Sequence, residues 1–262
     1  QGLLLRPKNI SILKNLIDPL ILLNRLNEAS EACNEILSVN NNDAETINVL
    51  GTIYEKKGFY DQAKNEFLRA LELDKNLTQA KINIATIYQL EGNEEKANEV
   101  YNELVKEQKE NPEVLFRASG FAFKRENFEE GWRYYEYRWK VFPLNKTVWP
   151  IQKKPIWKGE KGCRVVLWKE QGIGDQIILL SLVPEVKDRC TSLSVYVDRR
   201  VHSLCKRTMP EINFISDEKD LKKENFDYHL SLGSLPGLIR NDVGDFDRTV
   251  RGYLKADPQR VK

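Results

Sequence analysis

The residues of this chain best placed to do chemistry are Glu170-Gln171-Gly172-Ile173-Gly174-Asp175, a hexapeptide that joins two apolar runs. Before it, Cys163 to Trp168 is a short β-branched stretch of the kind that makes a buried strand. After it, Ile177 to Val183 has the apolar density of a helix packed on a sheet. Two glycines in the turn can take positive φ and let a ligand approach the backbone. Asp175 stands where an N-cap would accept the first free N–H groups of the following helix. A strand, a glycine turn and a helix start together favour anionic or hydroxyl-rich ligands.

Rival chemistries have weaker signals. Gly172-Ile173-Gly174-Asp175-Gln176-Ile177 lacks the third glycine of a dinucleotide fingerprint, which argues against NAD. His202 and His229 stand without cysteine or carboxylate at ligand spacing, so they are expected to be surface or satisfied core histidines, and no metal is expected. The cysteines at 33, 163, 190 and 205 form no C-x-x-C pair and read as reduced thiols in a cytoplasmic protein.

The elements that must position the loop follow from the pattern around it. Ser192 to Val197, Ile212 to Ile215 and Phe226 to Leu232 read as further strands, with a short helix from Arg199 to Arg207. Strands alternating with helices argue for a parallel, Rossmann-like sheet over residues 163–252, and residues 253–262 read as a linker leading onward. The absence of an initiator methionine suggests a processed, trimmed or engineered start.

The first half is built differently. Repeat starts at Ile10, Ala44, Thr78 and Pro112 place Ala29, Ala63, Ala97 and Gly131 at one small position, and Cys33, Phe67, Tyr101 and Tyr135 at one larger position four residues on. A small residue lets two antiparallel helices approach, and the larger one fills the groove one turn later. The L-G-x-x-Y, G-x-Y-x-x-A and A-L-E-L-D stretches of 44–74 resemble the tetratricopeptide repeat closely. The array is expected over residues 1–139, with Pro19 interrupting the first helix. Stacked pairs expose their first helices on a concave face, lined here by Asn48, Thr52, Glu55, Ile82, Thr86, Gln89, Phe116 and Phe123. That face suits an extended peptide or partner protein, or serves only to orient the second domain. All five tryptophans fall between Trp132 and Trp168, and the junction at 140–162, with Pro143, Pro150 and Pro155 in the same window, should therefore be stiff. The fold class is α plus α/β.

Lysine plus arginine (41) nearly balances aspartate plus glutamate (39), so the net charge demands neither nucleic acid nor an anionic membrane. No run approaches the roughly 18 to 20 apolar residues that span a bilayer, so a soluble, cytoplasmic protein is expected.

Three ordered segments carry a more specific resemblance: Gly131-Trp132-Arg133-Tyr134-Tyr135-Glu136-Tyr137-Arg138-Trp139, Pro155-Ile156-Trp157-Lys158-Gly159-Glu160 and Glu170-Gln171-Gly172-Ile173-Gly174-Asp175. Together they look like bacterial tetratricopeptide-repeat glycosyltransferases, in which such repeats precede a two-lobed GT-B region related to the heptosyltransferases and O-GlcNAc transferases. The closing Tyr253-Leu254-Lys255-Ala256-Asp257-Pro258 is similar to that family's inter-lobe connection. The resemblance implies that residues 163–252 form the acceptor lobe, with a protein or glycan acceptor. It implies no cofactor or metal, and a nucleotide-sugar donor held mostly by a lobe absent from this chain. Asp175 matches the proposed base of the heptosyltransferase relatives, although an aspartate at a helix start is a weakened base. Glu170, Gln171, Gly172 and Gly174 are candidate substrate contacts: the glycines matter through shape and backbone approach, and Glu170 either orients the loop or binds a hydroxyl.

The chain departs from the family at Ile178 and Ser181, where a polar residue and an arginine are common, so acceptor chemistry is expected to differ or be lost. Of the asparagine ladder of O-GlcNAc transferase grooves, falling at Val49, Asn83 and Arg117, one rung remains. A reading from a different class is a non-catalytic interaction scaffold whose glycosyltransferase-like lobe is degenerate.

Overall fold

The computed structural model describes residues 9–142, 154–170, 172–248 and 252–259. The chain divides into two compact units, residues 1–110 and 111–262.

The first unit is three helix pairs. The first helices are α1 (Ile10–Leu22), α3 (Ala44–Lys56) and α5 (Thr78–Leu90); the second helices are α2 (Leu26–Val39), α4 (Tyr60–Leu73) and α6 (Glu94–Glu107). The expected repeat starts are the observed first residues of the first helices. Two have side-chain caps: Asn9 accepts from the Ser11 and Ile12 N–H groups, and Asp43 accepts from that of Thr46. Ala29, Ala63 and Ala97 are fully buried, as are Cys33 and Phe67, so the small and large positions make the inter-helix seam. Within each pair the chain turns through one left-handed residue: Asn24 (φ 57), Gly58 (φ 82) and Gly92 (φ 76). The expected interruption at Pro19 does not occur. Proline lies in the last turn of α1, where the ladder loses one hydrogen bond and continues to Leu22.

The second unit opens with a fourth pair of the same period, α7 (Pro112–Lys124) and α8 (Phe128–Tyr135), joined by a left-handed Glu126 (φ 59), and then the short α9 (Arg138–Val141). A four-stranded parallel sheet follows, of β1 (Cys163–Trp168), β2 (Cys190–Tyr196), β3 (Asn213–Ile215) and β4 (Tyr228–Ser231), in the order β3-β2-β1-β4. Helices α10 (Ile173–Leu180) and α11 (Val183–Lys187) connect β1 to β2, α12 (Arg199–Thr208) connects β2 to β3, and α13 (Glu218–Leu221) precedes β4; α14 (Pro236–Ile239) comes after it. Val165, Leu167, Val195, Val183, Val186, Leu232 and Leu235 form the main core, each at most 1% exposed. Each such side chain contributes about 1.5–3 kcal/mol of burial. Beyond β4, Trp157 donates its N–H to the His229 carbonyl at 2.8 Å, and His229 donates to that of Pro155 at 3.1 Å, so the chain at 155–157 covers the sheet edge.

Four of the five tryptophans are described, and all four pack within this unit. Trp157 is 1% exposed, Trp132 donates to the Arg240 carbonyl at 2.7 Å, and Trp139 lies 5.4 Å from Trp168, ring centre to ring centre. Trp149, Pro143 and Pro150 lie outside the described residues.

Candidate functional site

In the sheet order β3-β2-β1-β4 the chain winds outward from β1 to β3 and then returns to the other side of β1. The C-terminal ends of β1 and β4 therefore flank the topological switch point, where open α/β sheets bind ligands. The loop after β1 delivers Glu170 there, and Ser231 at the end of β4 and Ser234 just after it lie on the same side, both bound by Arg138.

Glu170 is already committed. Its carboxylate, 1% exposed, accepts from Arg138 Nε at 3.1 Å and Nη2 at 2.8 Å, a bidentate pair with a guanidinium that is 2% exposed. Arg138 Nη2 also donates to Ser231 Oγ (3.1 Å) and Ser234 Oγ (2.8 Å), while Nη1 donates to Glu136 (2.8 Å) and to the Tyr135 carbonyl (3.2 Å). The guanidinium carbon lies 4.4 Å from the Tyr135 ring centre and 4.3 Å from that of Trp139. Burial opposes the Arg138 charge, but the Glu170 hydrogen bonds and charge outweigh it, and its pKa is raised. Gly233 makes room for the pair: a Cβ there would overlap Glu170 Oε1 and sit 2.8 Å from its Cδ. At the switch point the loop's carboxylate is thus paired with the chain's own arginine.

The rest of the loop differs from its sequence reading in two ways. Helix α10 begins at Ile173, and Gly172 (φ −59, ψ 172) is its N-cap, so Asp175 is the third helical residue rather than the cap. Neither glycine has positive φ: Gly172 is extended and Gly174 helical, because the helix starts before Asp175 and absorbs Gly174. Asp175 and Gly174 are exposed, and space beside Gly174 is open. Ile178, one turn on, is 70% exposed. Gln171 lies outside the described residues.

His229 is a satisfied core residue, 7% exposed, with Trp168 Nε1 donating to its Nδ1 at 3.1 Å; burial holds its pKa below the ordinary value, against a lesser opposing hydrogen bond that the ring donates to the Lys154 backbone. His202 Nε2 lies 3.0 Å from the Phe214 carbonyl oxygen. Among the described residues no group of three or more His, Cys, Asp or Glu side chains could hold a metal.

In the first unit the residues expected to line the partner face occupy matching places on α3 and α5. Asn48, Thr52 and Glu55 correspond, one period on, to Ile82, Thr86 and Gln89. Thr52, Glu55, Thr86 and Gln89 are half-buried, whereas Ile82 is 1% exposed and so does not line an open face. A polar line crosses between the helices: Asn83 Nδ2 donates to Asn48 Oδ1 at 3.0 Å and to Thr52 Oγ1 at 3.3 Å, and Gln79 Nε2 donates to Asn83 Oδ1 at 3.1 Å. Thr86 donates to the Ile82 carbonyl at 3.1 Å.

Phe116 and Phe123 lie in the second unit and are turned into aromatic packing. Phe116 meets Phe142 edge-on at 5.3 Å, and Phe123 lies 4.4 Å from Trp132. The Phe123 ring fills the space that a Cβ on Gly131 would occupy, which is why the small position of this pair is glycine rather than alanine. Sequence reasoning missed Arg138 as an organiser. Its sole signal was a cation among five aromatics between Trp132 and Trp139.

Residues 44–77 match the family model of the tetratricopeptide repeat. Protein FlbA of Caulobacter vibrioides is 26% identical over 282 residues, covering 98% of this chain and 46% of its own length. The type IV pilus assembly protein PilF of Pseudomonas aeruginosa is 30% identical over 84 residues, covering 32% of this chain and 33% of its own. The chain thus spans less than half the length of both. Among solved structures, a thermophilic tetratricopeptide-repeat protein of Thermus thermophilus superimposes with a TM-score of 0.47 at 17% identity, covering 54% of this chain and 78% of that one. A tetratricopeptide-repeat protein of Parabacteroides merdae gives 0.45 at 23% identity, with 54% of each chain covered.

Proposed function

We propose that this chain is a protein-interaction scaffold whose first helices, α3 and α5, present an extended polypeptide with the half-buried line Thr52, Glu55, Thr86 and Gln89. The observation that supports it is the repeated polar stripe on a helix array whose 44–77 segment matches the tetratricopeptide repeat. The two threonines are anchored by hydrogen bonds to their own helices and all four side chains are still partly exposed, so they can exchange water for a peptide backbone at small entropic cost. Of the two curated relatives, PilF is described as a type IV pilus assembly protein.

A second reading, sugar transfer to a hydroxyl acceptor at the loop 170–175, is favoured by one observation: Asp175 and Gly174 are exposed beside the sheet's switch point. Against it, the Glu170 carboxylate is 1% exposed and paired with Arg138, so a substrate hydroxyl has little access to it. In this reading the lobe that holds the donor lies outside these residues.

The test is selection of peptides from a display library on the full chain, followed by calorimetric titration of the wild type, Thr52→Arg, Thr86→Arg and Asp175→Ala. The scaffold reading expects each arginine variant to weaken binding by about tenfold, near 1.4 kcal/mol, with Asp175→Ala unchanged. Unaltered affinity in both arginine variants would remove α3 and α5 from the binding face.

A further inference from the structure

We infer that Cys163 and Cys190 form a two-thiol site that a small-molecule disulfide, such as oxidised glutathione, converts to an intramolecular disulfide joining the starts of β1 and β2. The two residues are register partners on neighbouring parallel strands. That relation sets their Cα atoms about 4.8 Å apart, within the roughly 4.4–6.8 Å that a disulfide spans. Both side chains leave the sheet on one face, since Cys163 belongs to the main apolar core and Cys190 packs against it. The ladder is irregular between Cys163 and Arg164, whose partners are Cys190 and Ser192, so Thr191 is an extra residue on β2. A bulge at this end loosens the pairing and gives the two sulfurs freedom to turn toward each other.

Each thiol makes a replaceable contact, Cys163 Sγ at 3.1 Å from the Glu160 carbonyl oxygen and Cys190 Sγ at 3.6 Å from that of Val186. Cys190 is half-buried and reachable, whereas Cys163 is 9% exposed behind it. Cys33 and Cys205 are buried on the helices α2 and α12, away from any strand register. Burial, and secondarily the neighbouring Cys163, pushes the Cys190 thiol up to about 11, so the reaction is slow at neutral pH and speeds as pH rises.

The exchange balances. The Cys190 thiolate attacks one sulfur of oxidised glutathione, forming a mixed disulfide and releasing one glutathione thiolate. The Cys163 thiolate then attacks the Cys190 sulfur and expels the second. Two protein thiols are oxidised by two electrons, and one glutathione disulfide is reduced to two thiols.

The experiment incubates the reduced full chain with oxidised glutathione at about pH 8.5, near the ordinary thiol pKa, and follows intact mass, thiol titre in denaturant and peptide map. The expected product is lighter than the reduced chain by two hydrogen atoms, retains no glutathione, shows two titratable thiols in place of four, and yields a 163–190 cross-linked peptide. Cys163→Ser is expected to hold one glutathione on Cys190, and Cys190→Ser to form no cross-link. A lasting glutathione adduct on Cys190 in the wild type, four unreacted thiols, or a cross-link through Cys33 or Cys205 would each overturn the assignment.

Discussion

Arg138 donates to both oxygens of Glu170 while Tyr135 and Trp139 enclose its guanidinium. With both partners at most 2% exposed, removing one strands the other as an unpaired buried charge. Arg138→Ala or Glu170→Ala should each cost about 3–5 kcal/mol, and the joint change Arg138→Met with Glu170→Leu should cost less than either. Arg138→Lys should also destabilise, since an ammonium cannot reproduce the planar fork. The measurement is urea unfolding followed by tryptophan fluorescence, because every tryptophan lies in the second unit. Gly233→Ala belongs to the same test: its Cβ must push Glu170 out of the pair, for a loss of about 3 kcal/mol or more. At His229 the sign of the pH effect is fixed by burial. Its folded pKa lies below the ordinary 6.5, so below 6.5 the unfolded chain takes up a proton that the folded one refuses. Stability should fall as pH drops through this window, and His229→Gln should flatten that dependence in urea titrations at graded pH.

Among the elements, the helix pairs share one device, a left-handed residue in the turn at 24, 58, 92 and 126. Glycine meets that demand at 58 and 92, asparagine tolerates it at 24, and Glu126 bears the strain of a Cβ at φ 59. Glu126→Gly should therefore stabilise the second unit by about 1 kcal/mol, and Gly92→Ala should destabilise the first by a similar amount, as read by tryptophan fluorescence and by circular dichroism respectively. The period of the array was legible because each repeat reuses the same seam, so Ala29, Ala63, Ala97 and Gly131 announce one another. Strand β1 was legible to the residue because five of its six residues are buried and only Arg164 interrupts the run. The start of α10 was not, since glycines read as turn formers and only the surrounding sheet shows that Gly174 is helical. The role of Glu170 was equally hidden: its partner sits 32 residues earlier, on a short helix whose approach no local spacing encodes.

At the scale of the whole molecule, the chain joins three repeat pairs in one compact unit to a fourth pair and a parallel sheet in another. Arg138 and Glu170 form a buried pair at the sheet's switch point, while the polar stripe on α3 and α5 stays partly exposed. This contrast supports the proposal that the repeats carry the binding role. Hydrogen–deuterium exchange on the full chain, with and without a library-selected peptide, tests it most directly. The account predicts slowed exchange over residues 44–56 and 78–90, with little change over 172–181. Protection confined to 172–181, with α3 and α5 unaffected, would contradict it.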